Sequence, residues 1–119
     1  MEEQMEVQSS LLDKLQDAVF ALDLDGHILY WNRCAEYLYG WATDEAIGKH
    51  AGELIFDRLS LQFEEAKKAV FDKDSWFGEL SHKTRDGKDL IVESRWDLVR
   101  DKNCNPKLIL VFNTDKSVI

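Results

Sequence analysis

The stretch from Ile28 to Trp41, ILYWNRCAEYLYGW, changes its hydrophobic period once, at Asn32. The residues before Asn32 are aliphatic or aromatic, which predicts a β-strand. Asn32 is a typical helix N-cap, because its side-chain oxygen can accept a backbone hydrogen bond that the helix leaves unpaired. The apolar residues that follow fall at helical spacing, and Gly40 can end the helix in the left-handed conformation. The chain is therefore expected to turn here from a sheet directly into a short helix.

An apolar run at residues 18–24 precedes this stretch, and the tight-turn dipeptide Asp25-Gly26 between them predicts a β-hairpin. After the hairpin, Thr43 is expected to cap a second short helix that ends at Gly48. Ser60 is expected to cap a longer amphipathic helix. Its apolar residues recur at intervals of four, three and four, at Leu59, Phe63, Ala66 and Val70.

The last third of the chain has a period of two, which is typical of β-strands. Residues 76–83, 88–100 and 107–115 predict three strands, the first two of which are joined by the turn Asp86-Gly87. The middle strand has one mainly apolar face, formed by Leu90, Val92, Ser94, Trp96 and Leu98. The order of elements predicts an α+β domain with a five-stranded antiparallel sheet and the helices on one of its faces.

The composition limits the classes of function. A chain of 119 residues is long enough for one domain. Its 15 Lys and Arg against 23 Asp and Glu give a net charge of −8, which opposes contact with phosphate backbones, so no nucleic-acid partner is expected. No apolar run approaches the roughly 20 residues that cross a bilayer, and the first residues lack the apolar region of a signal peptide. We therefore expect a cytoplasmic domain in which Cys34 and Cys104 are free thiols.

Residues 1–16 carry a helical pattern in which Met5, Leu12 and Val19 repeat at an interval of seven. Two interpretations stay open. The predicted helix either covers an otherwise exposed face of its own domain, or it meets a second copy of the chain and forms a homodimer together with the sheet face.

Several short motifs follow one another along the chain. After the hairpin they read YWNRCAEYLYGW, TDEAIGK, WFGEL, KTRDGK and NTDKS. In this order and spacing, over residues 11–117, the sequence resembles a PAS domain of bacterial sensor proteins. The resemblance implies the PAS fold and a sensory or protein-interaction module with no catalytic residues. Such a module is usually one part of a larger signalling protein, such as a two-component sensor histidine kinase, whose enzymatic activity lies in an output domain.

The resemblance also implies a division of the chain. Residues 1–16 would form the capping or dimerisation helix, residues 17–116 the PAS domain, and residues 117–119 the start of a linker to an output domain in the same chain. The ending NTDKS is similar to the D-I-T ending of the family, whose acidic residue ties the last strand to the outgoing linker. Asp115 matches that residue and is our candidate for signal transmission, whereas the two residues after it depart from the pattern.

The cofactors of PAS relatives can be compared with this sequence residue by residue. Light-sensing flavin relatives form a photoadduct on a cysteine, and Ala51 stands at the corresponding position. Haem-binding relatives often use a histidine on the long helix, and residues 61–73 contain none. His27, His50 and His82 lie elsewhere, so we predict no cofactor and no metal. Haem, with His50 as the nearest candidate ligand, and a non-covalent flavin stacked on tryptophans stay open as alternatives.

The resemblance finally implies a small-molecule pocket between the sheet and the helices. We predict that its lining includes Trp31, His50, Phe56, Phe63 and Trp96. Two alternatives stay open: a PAS domain with a side-chain-filled pocket that acts only in protein–protein interaction, and a small stand-alone α+β enzyme. A buried carboxylate or histidine with a perturbed pKa, facing an apolar cavity, would favour the enzyme.

Overall fold

A computed structural model of the chain describes residues 17–56 and 61–116. Strands and helices follow one another in the predicted order of hairpin, helices and strands. In chain order they are β1 (Ala18–Leu22), β2 (Ile28–Trp31), α1 (Arg33–Tyr39), α2 (Thr43–Ala46), α3 (Ala51–Leu54), α4 (Gln62–Lys73), β3 (Ser75–Lys83), β4 (Asp89–Arg100) and β5 (Pro106–Asp115).

The five strands form one antiparallel sheet in the order β2-β1-β5-β4-β3. The first and last strands of the chain lie side by side within it, with Phe20 of β1 opposite Val111 of β5. All five residues of β1 are buried, as expected for a strand with a neighbour on each side. The predicted α+β class and five-stranded antiparallel sheet are confirmed.

One face of the sheet is buried beneath the helices. Along β4, the predicted apolar face is buried at residues 90, 92, 94 and 96, while Ile91 and Arg95 on the opposite face are exposed. The α4 helix buries its predicted apolar residues Phe63, Ala66 and Val70. Sheet and helices therefore enclose one core, and the other sheet face lies outside it.

Asn32 links β1, β2 and α1 at the start of the first helix. Its Oδ1 accepts the backbone hydrogens of Ala35, at 2.9 Å, and of Val19, at 3.0 Å. Gly40 ends the helix with φ +81°, in the left-handed region where glycine is favoured. Both predictions for this helix are confirmed, and Asn32 also satisfies a buried strand amide that the sequence did not point to.

The first strand is shorter than predicted and ends at Leu22. The Asp23 carboxylate accepts the backbone hydrogens of Asp25, at 3.0 Å, and His27, at 2.9 Å, and so begins the turn two residues early. The other strands begin and end within one residue of the predicted positions.

The second short helix begins and ends differently from the prediction. Its N-cap is Ala42 rather than Thr43, and the Glu45 carboxylate accepts the Ala42 amide hydrogen at 3.0 Å. Its C-cap is Ile47, and Gly48 follows with φ +86°. The Thr43 hydroxyl instead lies within hydrogen-bond distance of the Trp31 carbonyl, at 3.1 Å, and the Glu36 carboxylate, at 3.0 Å.

The α4 helix has Leu61 as its N-cap, without a side-chain cap, so the assignment of Ser60 as the cap is wrong. Ser60 itself, Leu59, the predicted helix at residues 1–16 and the predicted linker at residues 117–119 lie outside the described residues. Within residues 17–56 and 61–116, no helix has the length and apolar character needed to cross a membrane.

Candidate functional site

An aromatic cluster fills the space between the sheet and the helices, with Phe63 of α4 at its centre. The Phe63 ring centroid lies 5.1 Å from that of His50, 5.2 Å from that of Phe56 and 5.8 Å from that of Trp96. The structure thus brings four of the five predicted lining residues together. Whether they contact a ligand stays a prediction.

Trp31, the fifth predicted lining residue, lies apart from Phe63. Its ring contacts Tyr39 at 5.5 Å, and Tyr39 contacts His82 at 5.5 Å. His82 in turn meets Phe56 edge to face at 4.3 Å. Ring contacts thus connect Trp31 to the cluster through Tyr39 and His82, neither of which the sequence identified as a site residue.

His50 is held in place by both of its ring nitrogens. Its Nδ1 accepts the Gly52 amide hydrogen at 3.1 Å, and its Nε2 donates to the Asp25 carbonyl at 2.9 Å. The hairpin turn packs directly on this ring, because a Cβ at Gly26 would lie 2.9 Å from His50 Nε2 and 2.6 Å from Phe63 Cζ. His50 thus closes one end of the cluster, and its hydrogen-bonding nitrogens are occupied by backbone groups.

A chain of buried hydrogen bonds runs from the sheet into this cluster. Trp96 Nε1 donates to Ser94 Oγ at 2.9 Å, and Ser94 Oγ donates to Asn113 Oδ1. Asn113 Nδ2 donates to the Tyr39 hydroxyl at 2.9 Å, and that hydroxyl lies 2.6 Å from His82 Nδ1. All five side chains are at least 98% buried, so solvent does not compete for these bonds.

The directions of these hydrogen bonds follow from the orientation of the Asn113 amide. Its Oδ1 accepts the Ser94 proton, and its Nδ2, which can only donate, donates to the Tyr39 hydroxyl. The Tyr39 proton is then left for His82 Nδ1. A neutral His82 therefore carries its own proton on Nε2.

His82 Nε2 is buried and has no hydrogen-bond partner among residues 17–56 and 61–116. Burial disfavours the charged imidazolium and lowers the pKa of His82 to about 3. Burial likewise raises the pKa of the Tyr39 phenol, so the phenol keeps its proton. This hydrogen-bond network thus ends in a neutral imidazole whose buried N–H donor has no partner within the described part of the protein.

One residue in the sequence, Ser94, indicated a buried polar contact of this kind. Ser94 is the polar residue on the otherwise apolar face of β4, and a polar group buried on such a face requires a partner. Tyr39 was predicted only as part of an apolar helix face, and His82 as an ordinary strand histidine. Their contact with Asn113 joins residues far apart in the chain, which local patterns do not report.

The outer face of the sheet carries a shallow cavity of about 420 Å³. It is lined by Asp17, Phe77, Glu93, Arg95, Asp97, Phe112 and Thr114. The Phe77 side chain is 65% exposed, and Ile91 on the same face is 37% exposed. This face thus offers apolar surface bordered by charges of both signs.

Asp115, the predicted signal-transmission residue, is half-buried at the end of β5 and lies opposite Val92 of β4. Its role at a linker stays a prediction. Among the described residues, a metal could be held by Asp23, Asp25 and His27, whose ligand atoms lie within 4.8 Å of one another. Their closeness is explained by the hairpin turn, in which Asp23 accepts the backbone hydrogens of the other two.

The sequence and the fold of this chain are similar to those of known proteins. Residues 8–115 match the family described as PAS fold. The chain is similar to the crystal structure of the PAS domain of a protein from Colwellia psychrerythraea, with 27% identity and a TM-score of 0.84 over 94% of this chain and 96% of that one.

Two solved domains from sensor histidine kinases share the fold. A PAS domain from a two-component sensor histidine kinase has 16% identity and a TM-score of 0.81, over 97% of this chain and 98% of that one. A domain of the sensory box sensor histidine kinase/response regulator from Geobacter sulfurreducens has 23% identity and a TM-score of 0.77, over 94% of each chain.

Proposed function

This chain belongs to the PAS family, and from that premise we propose that it is the sensory module of a larger signalling protein of the sensor histidine kinase type. In this proposal a small molecule binds in the core, and the response passes along β5 to an output domain. The domain itself supplies recognition and needs no catalytic step.

The observation that carries the proposal is the buried hydrogen-bond chain between the core and the end of β5. His82 lies in the aromatic cluster, and Asn113 lies two residues before Asp115, where β5 ends. Tyr39 bridges the two, so a change in the hydrogen bonding of His82 alters the bond that holds Asn113. This connection between the core and the end of β5 supports the proposal.

Signalling also sets an energetic requirement. A ligand shifts an equilibrium between two conformations only by the difference between its affinities for them. A nearly complete switch, from 1:99 to 99:1, needs a difference of about 5.5 kcal/mol. Buried hydrogen bonds supply such differences more readily than exposed ones, because a lost partner inside the protein is not replaced by water.

The test is a chimera in which the chain is fused to the catalytic core of a PAS-containing sensor histidine kinase. We expect Tyr39→Phe, which removes the bridging hydroxyl, to change the rate of autophosphorylation several-fold. The matched control is Tyr37→Phe on the same helix, whose side chain is 82% exposed and outside the network. Equal rates for both variants and the parent chimera would count against the proposal.

A second candidate function is homodimerisation through the outer sheet face. It is favoured by the exposed Phe77 ring and the shallow cavity beside it, since apolar surface with a charged rim is typical of interaction sites. Sedimentation analysis of Phe77→Ser tests it, with Leu61→Ser as a control because Leu61 is 70% exposed and outside the sheet. A dimer weakened only by Phe77→Ser would support this candidate, and two unchanged dissociation constants would exclude Phe77 from the interface.

His82 meets part of the criterion that the sequence set for a stand-alone enzyme, because it is a buried histidine with a perturbed pKa. The direction of the shift argues against a catalytic base. A general base works best with a pKa near the working pH, and a pKa of about 3 leaves His82 neutral and weakly basic. Its Nδ1 is also already engaged by the Tyr39 hydroxyl.

A further inference from the structure

We infer that the Nε2–H group of His82 is the hydrogen-bond donor for a small, uncharged ligand that carries one strong hydrogen-bond acceptor, such as a ketone or an amide. This inference rests on the proposed sensory function and deepens it by naming the donor atom and the ligand class. The ligand would lie in the core beside Phe56.

The donor follows from the direction of the buried network. Trp96, Ser94, Asn113 and Tyr39 donate in sequence, so Nδ1 of His82 is used as an acceptor and Nε2 carries the proton. The polar atoms that Trp96, Ser94, Asn113 and Tyr39 contribute to this network are all paired, whereas Nε2 has no partner among the described residues. Unpaired buried donors are rare in folded proteins, so this one calls for an acceptor beyond those that the described residues supply.

The surroundings of this donor determine the rest of the ligand. Aromatic rings pack against the imidazole that carries it, with Phe56 at 4.3 Å and Tyr39 at 5.5 Å between ring centroids. Apart from tyrosine and tryptophan, the buried polar side chains of the described residues are Asn32, His82, Ser94 and Asn113, and none of them carries a compensating charge. A carboxylate or phosphate would be buried here without a counter-charge, so the ligand is expected to be apolar apart from one neutral acceptor.

The position of Phe56 limits the size of the ligand. Its ring packs against the rings of both His82, at 4.3 Å, and Phe63, at 5.2 Å, between centroids, so a ligand that enters on this side of His82 takes the place of the Phe56 ring. Phe56→Ala would open a cavity of about the volume of one aromatic ring next to His82. We therefore expect ligands no larger than a small ring, and tighter binding in the Phe56→Ala variant.

Binding at Nε2 would also reach the rest of the network. An acceptor on Nε2–H makes Nδ1 of the same imidazole more basic, which strengthens its bond with the Tyr39 hydroxyl. Tyr39 in turn accepts from Asn113 on β5. Binding of a ligand to this donor would thus alter the hydrogen bonding of Asn113 on β5, the strand that ends in Asp115.

The test uses ¹⁵N-labelled protein and long-range ¹H–¹⁵N spectra of the histidine rings. The first spectrum should identify His82 as the neutral Nε2–H form. Cyclopentanone is then titrated into the parent chain and into Phe56→Ala, alongside cyclopentane, which has the same ring without an acceptor, and butyrate, which is charged. We expect a saturable shift of the His82 Nε2 signal with cyclopentanone, affinity about tenfold weaker for cyclopentane, and no binding of butyrate.

Two variants separate the donor from general packing. His82→Phe keeps a ring of similar size and should lose the preference for cyclopentanone over cyclopentane. His27→Gln removes a histidine whose side chain is 46% exposed and should keep that preference. The inference is overturned if neither the parent chain nor Phe56→Ala binds cyclopentanone, if both probes bind equally well, or if the proton of His82 is on Nδ1.

Together, the binding experiment and the kinase chimera distinguish a failure of this inference from a failure of the proposed function. A kinase chimera that responds to Tyr39→Phe, combined with no binding of cyclopentanone, would refute the ligand class and leave the sensory function supported. Binding of cyclopentanone at His82, combined with a chimera that ignores Tyr39→Phe, would support the donor and count against transmission along β5.

Discussion

Replacement of His82 is expected to remove a defined part of the acid sensitivity of the fold. In the unfolded chain His82 binds a proton as the pH falls through about 6.5, whereas in the folded chain its pKa is lowered by burial to about 3. Between pH 6.5 and pH 3 the unfolded state therefore binds one more proton at His82 than the folded state does. The contribution of His82 to stability is therefore fully present above pH 6.5 and is lost progressively as the pH falls toward 3.

The size of this effect follows from the two pKa values. One pKa unit corresponds to about 1.4 kcal/mol, and the proton-binding difference develops over most of the interval from pH 7 to pH 5. Over that interval the unfolding free energy of the parent chain should fall by about 2 kcal/mol more than that of a variant without this histidine. Acidic residues also titrate near pH 5, so only the difference between the two proteins isolates His82.

The assay is urea denaturation of the parent chain and His82→Gln at pH 7, 6 and 5. Glutamine retains an acceptor for the Tyr39 hydroxyl and loses the titratable ring. We expect the variant to be the less stable protein at pH 7 and the stability gap to close by about 2 kcal/mol at pH 5. His27→Gln is the matched control, because it removes an imidazole that is 46% exposed.

The reasoning is refuted if the gap between the parent chain and His82→Gln is the same at all three pH values. It is also refuted if the stability difference between the parent chain and His27→Gln changes by the same amount from pH 7 to pH 5. The effect would then come from the loss of any imidazole rather than from burial. Denaturant slopes that stay constant across the series confirm that stability, and not the compactness of the unfolded state, has changed.

Three further substitutions test the packing around the network. Tyr39→Phe should lower the unfolding free energy by about 1–3 kcal/mol in chemical denaturation, because it leaves buried polar partners unpaired, whereas the exposed Tyr37→Phe should stay within about 0.5 kcal/mol of the parent chain. Asn32→Ala should cost about 2–4 kcal/mol in the same assay, since it removes a helix cap and also the acceptor of a buried strand amide; a loss below about 1 kcal/mol would contradict this double role. Gly26→Ala should lower the melting temperature and shift the ring signals of Phe63, because φ is +102° and the added Cβ would lie 2.6 Å from Phe63 Cζ; unchanged ring signals would disprove the contact.

Features that depend on neighbouring residues could be predicted from the sequence alone. Asn32 and Gly40 act within one helix, and the turn at Gly26 acts within one hairpin, so their local chemistry was sufficient. The alternation along β4 likewise predicted which residues share a face. The predicted cap at Thr43 was wrong because the helix begins one residue earlier and the Thr43 hydroxyl contacts Trp31 of β2 and Glu36 of α1 instead.

The tertiary structure decided which of these residues meet. Period-two patterns state that alternate residues lie together but do not state which strand lies beside which, so the pairing of β1 with β5 could not be read from them. That pairing and the packing of α1 place Asn113 beside Tyr39, 74 positions earlier in the chain. His82 becomes a buried neutral donor only through this arrangement. Local patterns in the sequence predict the elements and the family to which they belong. The candidate site exists because long-range packing removes polar groups from solvent, so that they bond to one another and leave His82 Nε2 without a partner among the described residues.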